Sequence, residues 1–206
     1  MIDSERGKEI VAMLYDRIKE EGTVIGTDIL KVDSFLNHQI DPAFTLMLGQ
    51  ELARRFGHSQ VTKILTLEAS GIAVAMATGL SLNVPVLFAK KGRPNTLQGE
   101  SYVVRVFSFT RQVQTDIFVS QRFLCPNDIV LIIDDFLAHG EALKGLIDLV
   151  QQAGSRLAGA GVVIEKRFQH GGDKPRQEGV RIEALAAIDS MQPGMISFIN
   201  RLNFIK

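Results

Sequence analysis

An α/β fold, with a mainly parallel sheet flanked by helices, is predicted by three features of this 206-residue chain. The first is Val130 to Ile133, four apolar residues that read as a strand buried on both faces and end on the adjacent acids Asp134 and Asp135. The second is a βαβ pattern: Val61 to Leu67, a turn at Glu68 to Gly71, a short helix to Leu80 and a strand from Val84 to Ala89. The third is another apolar run, Leu157 to Ile164, which ends on Glu165 and Lys166.

Ile10, Leu14 and Ile18 recur at spacing four within Glu5 to Glu21, so this segment is a helix with one apolar stripe, ended by Gly22. After Thr23 to Ile25 and an irregular stretch from Leu30 to Ile40, Asp41 caps a second helix with Pro42 at its first position. Phe44, Leu48, Leu52 and Phe56 share one face of it, and Gly57 stops it. Beyond the βαβ unit, Lys90 to Ser101 is polar and aperiodic, and reads as a mobile loop of the kind that forms lids. Tyr102 to Phe109 and Val113 to Val119 alternate as a hairpin about Thr110, Arg111 and Gln112. The helix Glu141 to Val150 follows the acid pair, and Arg181 to Ile188 is the last strand.

A 46% hydrophobic content supports one domain over residues 1–206. Lys plus Arg and Asp plus Glu are equal at 23 each, so no global field favours nucleic acid or an anionic membrane. With no apolar run of about 18 residues and no leader pattern, a cytoplasmic location is expected. The single cysteine, Cys125, excludes an intrachain disulfide and reads as a small apolar filler; no Cys/His cluster has metal-ligand spacing.

The chemistry concentrates after Ile133. Ligands of parallel sheets bind beyond the carboxyl ends of the strands, which places Asp134 and Asp135 in a crevice. The loop Ala138, His139, Gly140 then enters a helix whose unpaired N–H groups and positive dipole end suit an anion. Acids beside an anion site fit one ligand bearing hydroxyls and phosphate. Neither a glycine-rich dinucleotide fingerprint nor a Gly-Lys-Ser/Thr phosphate loop is present. Adjacent acids also mark phosphorylated receiver domains, but there they follow the first strand, whereas these lie beyond residue 130.

These residues resemble the type I phosphoribosyltransferases, and most of all their bacterial xanthine-using branch. The resemblance runs without gaps from about Gly22 to Phe198, and rests on Leu30 to Asp41, Glu68 to Gly71, Val130 to Ala142, and Glu165 with Lys166. It implies the type I phosphoribosyltransferase fold, with a small hood from residues 22–40 and C-terminal segments over the base and a lid at about 90–101. The implied reaction is purine salvage: xanthine and phosphoribosyl pyrophosphate (PRPP) give xanthosine monophosphate and pyrophosphate. Asp134 and Asp135 would take the ribose hydroxyls and sit near the oxocarbenium-like sugar. Ala138, His139, Gly140, Glu141 and Ala142 would hold the 5′-phosphate through backbone N–H groups. The threonines usual in the family at positions 139 and 142 are absent here. Glu68, Ala69, Ser70 and Gly71 would meet pyrophosphate, with Mg²⁺ held mainly by substrate and no metal ligand assigned to the protein. Lys90, Lys91 and Arg93 would reach phosphate oxygens, on the same subunit or across a homodimer. The residue that serves as general base in some purine relatives corresponds to Ala138, so no side chain is assigned that role. For the base, Lys166 offers donors to a 6-oxo group, Asn37 donates to a 2-oxo group, and Leu30 covers the ring or lends a backbone group. The alternatives are a sibling enzyme for guanine, hypoxanthine or adenine, and a PRPP-sensing regulator without catalysis.

Overall fold

In the computed structural model, which describes residues 2–92, 100–108 and 113–199, Ile2–Glu21 forms helix α1. Its stripe is buried as expected: Leu14 and Ile18 are fully enclosed, and the Gly22 N–H closes the helix onto the Ile18 carbonyl. A hairpin follows, β1 (Thr23–Ile25) with β2 (Ile29–Lys31), and then a π-helical turn, Asp33–Asn37. The stretch from Leu30 to Ile40 is therefore more ordered than its sequence indicates. Its Val32, Phe35 and Leu36 are core residues at i, i+3 and i+4, a helical spacing too short to mark a helix in the sequence.

Helix α2 (Pro42–Phe56) begins as its sequence dictates. Asp41 Oδ1 accepts the Phe44 N–H at 3.1 Å, Pro42 occupies the first turn, and the four expected core residues are buried. Strand β3 (Lys63–Leu67), helix α3 (Gly71–Leu82) and strand β4 (Val86–Lys91) complete the parallel βαβ unit. Asn83, in the left-handed conformation, caps α3. Lys90 and Lys91 are the last residues of β4, paired with a neighbouring strand, and do not open a loop. The remainder of the expected lid falls mostly outside the described residues. The hairpin is present as β5 (Ser101–Ser108) and β6 (Val113–Ser120), with its turn residues outside the described set.

Strand β7 (Ile129–Leu137) leads to α4 (Glu141–Gln152), then β8 (Arg156–Lys166) and a short excursion holding α5 (Asp173–Gln177). β9 (Ile182–Gln192) is not the last strand. A type of turn the sequence reading missed, at Gly194 with φ +79°, sends the chain back as antiparallel β10 (Met195–Phe198). The sheet order is β10-β9-β8-β7-β3-β4-β6-β5, parallel from β9 through β4 with antiparallel edges.

Each face of this sheet carries a core. Leu131 and Ile133 face one layer, with α1, α2 and α3, while Val130 and Ile132 face the other, with α4 and the β5–β6 hairpin. This is the expected geometry of a two-sided parallel strand. Across the acid pair the alternation slips, since Phe136 packs with the first layer and Leu137 with the second. Cys125 is not a filler; it is exposed in the turn before β7, its N–H bound by Asp128. Among the described residues no helix is long and apolar enough to cross a membrane.

Candidate active site

The acids do not lie beyond β7. They sit inside its last turn of pairing, where Asp134 is level with Val162 of β8. The strand runs on to Leu137 because residues 136 and 137 still find partners on β8, and the acids gain a rigid frame from this. Asp135 is 6% exposed, and its N–H is bound by Asp134 Oδ1 at 3.0 Å. Burial, reinforced by the Asp135 charge, holds the Asp134 carboxyl well above the usual carboxylate range, with Lys91 pulling the other way.

Next to Asp134 lies the start of α3. A side chain at Gly71 would overlap Thr66 Oγ1 and come within 2.6 Å of Asp134 Oδ1, so glycine is required for the helix start to approach the acids. The preceding turn contains a cis peptide between Glu68 and Ala69, and Glu68 Oε1 accepts the Lys91 N–H at 2.6 Å. The Glu68 to Gly71 turn and the end of β4 thus form one wall beside the acids.

A cleft of about 250 Å³ opens along residues 136–143, with Leu67 and Lys91 on one side and Val106, Phe107 and Thr115 of the hairpin on the other. The expected phosphate residues, Ala138 through Ala142, all line it. Gly140, at φ +86°, turns the chain into α4, and no side chain caps that helix start. Its first N–H groups are therefore available to an anion. Lys91 lines the cleft, whereas Lys90, the adjacent strand position, projects to the opposite face. The hairpin wall was missed in the sequence; its alternating aromatic and β-branched residues mark a strand and carry no sign of which face meets a ligand.

Lys166 ends β8 and is 9% exposed. Its Nζ donates to the Asp28 carbonyl at 2.6 Å, tying the β1–β2 turn over the sheet, and lies 5.5 Å from the Phe136 ring centroid. Burial pushes its ammonium below the ordinary lysine range. Asn37 Oδ1 is buried without a hydrogen-bond partner. Leu30 is 5% exposed with its side chain packed in the core. Neither Asn37 nor Leu30 lines the cleft. Among the described residues no three His, Cys, Asp or Glu side chains gather closely enough to cage a metal.

The sequence matches the family described as the phosphoribosyl transferase domain over residues 45–194. It is 63% identical to the xanthine phosphoribosyltransferase of Heliobacterium modesticaldum, covering 90% of this chain and 98% of that one. It is 56% identical to the Moorella thermoacetica protein of the same name, covering 93% and 97%. In structure it is similar to the Giardia lamblia adenine phosphoribosyltransferase complexed with 9-deazaadenine, with TM-score 0.71, 22% identity, and 84% and 97% of the two chains covered. The Trypanosoma brucei adenine phosphoribosyl transferase in complex with AMP, pyrophosphate and ribose-5-phosphate gives TM-score 0.71 at 18% identity, covering 84% and 79%. The last two speak to the fold alone. Since the family match spans β3, the acid pair, the loop into α4 and the end of β8, the chain belongs to the phosphoribosyl transferase domain family.

Proposed function

We propose that this protein transfers the phosphoribosyl group of PRPP to xanthine, giving xanthosine 5′-monophosphate and pyrophosphate. The observation that carries the reading is that residues 138–142, which follow Asp134 and Asp135 directly at the end of β7, line one cleft together with Lys91. The base follows from the xanthine-named relatives at 63% and 56% identity over nearly the whole chain.

The parts have complementary work. The 5′-phosphate lies on the N–H groups at the start of α4, where Gly140 turns the backbone toward the cleft. Asp134 and Asp135 accept the two ribose hydroxyls, which requires ionised carboxylates, so ligand binding must bring the Asp134 carboxyl down from its raised state. Their negative field then favours the cationic sugar as its bond to pyrophosphate breaks and a purine nitrogen bonds in its place. Pyrophosphate leaves along Glu68 to Gly71 and Lys91. Mg²⁺ would be carried mainly on substrate oxygens, where it would neutralise charge on the departing group.

For the base, Lys166 repels a 6-amino group and donates to a 6-oxo group. The unpartnered Asn37 oxygen accepts a ring N–H while the same amide donates to the 2-oxo group that distinguishes xanthine from hypoxanthine. Residues 22–40 and the C-terminal strand act as a hood within one 1–206 domain, and the cytoplasm is the compartment. A homodimer has support in Met76 and Leu80, 64% and 72% exposed one turn apart on α3.

The test is a PRPP- and Mg²⁺-dependent ultraviolet assay against xanthine, guanine, hypoxanthine and adenine. Preferential conversion of xanthine is expected. Preference for another base would overturn the Asn37 assignment, and PRPP binding without turnover of any base would point to a regulator.

A further inference from the structure

Gly171 belongs to none of the groups assigned above. It lies in the excursion between β8 and β9, residues 167–177, and two sets of contacts hold this segment. Buried Glu165 accepts both terminal nitrogens of Arg176, at 2.7 and 2.8 Å, and Arg167 at 3.2 Å; Arg167 also donates to Asp173 at 2.9 Å. Pro175 is buried and Phe168 packs against the core. A planar guanidinium bound bidentately to a buried carboxylate fixes direction as well as distance.

The tip of this segment touches the phosphate loop from behind. The Gly171 N–H donates to the Ala138 carbonyl at 3.1 Å. A Cβ on Gly140 would overlap the Gly171 carbonyl oxygen, and one on Gly171 would overlap the Ala138 oxygen and the Gly140 nitrogen. Two backbones packed this closely admit only glycine at both places. A planar trans peptide carries its C=O and N–H on opposite sides. Pinning the Ala138 oxygen to Gly171 therefore turns the His139 N–H the other way, toward the cleft that Ala138 and His139 line.

We propose that Gly171, held by the Glu165–Arg176 pair, is a positioning residue for the loop 138–140 and sets the direction of the N–H groups that receive the 5′-phosphate. The proposal rests on the reading of that loop as the phosphate site. Ala138 and Ala142 have no hydroxyl with which to compensate a displaced backbone, so anion binding here depends on where the backbone lies.

The experiment compares the parent protein with Gly171→Ala and Arg176→Met, measuring KM for PRPP and for xanthine, the Kd of ribose 5-phosphate by calorimetry, and the melting temperature. Below the melting transition, both variants are expected to raise the PRPP KM and the ribose 5-phosphate Kd by about 10- to 100-fold, while the xanthine KM stays within about twofold. A folded variant that leaves the ribose 5-phosphate Kd unchanged overturns the proposal, as does an equal rise in both KM values, the mark of general loosening. Should Gly171→Ala fail to fold, Arg176→Met decides on the same criteria. A parent protein that does not bind ribose 5-phosphate would instead overturn the reading of the loop itself.

Discussion

The run that follows the acid pair, residues 136–143, enters the cleft as one uninterrupted stretch, whereas the region proposed for the base joins Lys166 to the Asp28 carbonyl across 138 positions of chain. The first is a strand, a loop and a helix start, held because β7 pairs with β8 through Leu137 and packs on both faces. The second is a two-stranded hairpin and a π-helical turn laid over the sheet, with the lysine ammonium as a tie. On the proposed reading, binding of the shared substrate rests on local chain geometry, while selection of the base rests on a long-range contact. Substitutions in the two regions should therefore fail differently.

The largest separation is expected from Asp134→Ala with Asp135→Ala. Loss of the ribose acceptors and their field should lower kcat/KM for PRPP by about a thousandfold and abolish PRPP binding in calorimetry, with every base affected alike. Retained PRPP affinity would end the ribose assignment and with it the contrast. At the other end, Lys166→Ala should lower kcat/KM for 6-oxo purines by about a hundredfold, leaving the PRPP Kd unchanged; a specificity constant within about twofold of the parent would refute the base assignment.

A smaller effect separates two neighbouring residues. Lys91→Met should raise the PRPP KM by about tenfold, whereas Lys90→Met should have no such effect within one subunit. Equal effects, together with a dimer in sedimentation, would show that Lys90 serves the neighbouring cleft. The smallest effect concerns stability. The Asp134 carboxyl has its folded-state pKa raised by burial and by Asp135, so its contribution is present below the ordinary carboxylate range and is lost as pH rises through the raised value. Asp134→Asn should consequently raise the melting temperature of the ligand-free protein at neutral pH by about 2–4 °C and leave it unchanged near pH 3. A lower melting temperature at neutral pH would mean that Asp134 is already ionised without ligand.

Local rules account for what was legible. The α1 stripe, the Asp41 cap, the βαβ unit and the β7–loop–α4 run each depend on residues within about two turns of one another. The loop 138–142 lines the cleft because strand, glycine turn and helix start follow in sequence. Where the reading slipped, a partner distant in sequence was responsible. β7 extends past Asp135 because β8 pairs with it, and β8 reaches Lys166 because β9 pairs with it. Lys90 and Lys91 are strand residues because β6 pairs with them. The π-helical turn follows from the burial of Phe35 and Leu36, which no backbone propensity specifies.

By itself, the sequence determined the α/β class, the order of most elements, the acid pair and the helix start that follows it, since these follow from short-range periodicity, capping and loop chemistry. Only the tertiary structure decided which of two adjacent lysines enters the cleft, that Lys166 is tied to Asp28, that Leu30 turns its side chain to the core, and that Gly171 braces the loop at Ala138. The fourth is a contact between backbones far apart in sequence, and the first three share one physical reason. Strand pairing and burial select among side-chain directions that a single stretch of chain leaves equal in energy.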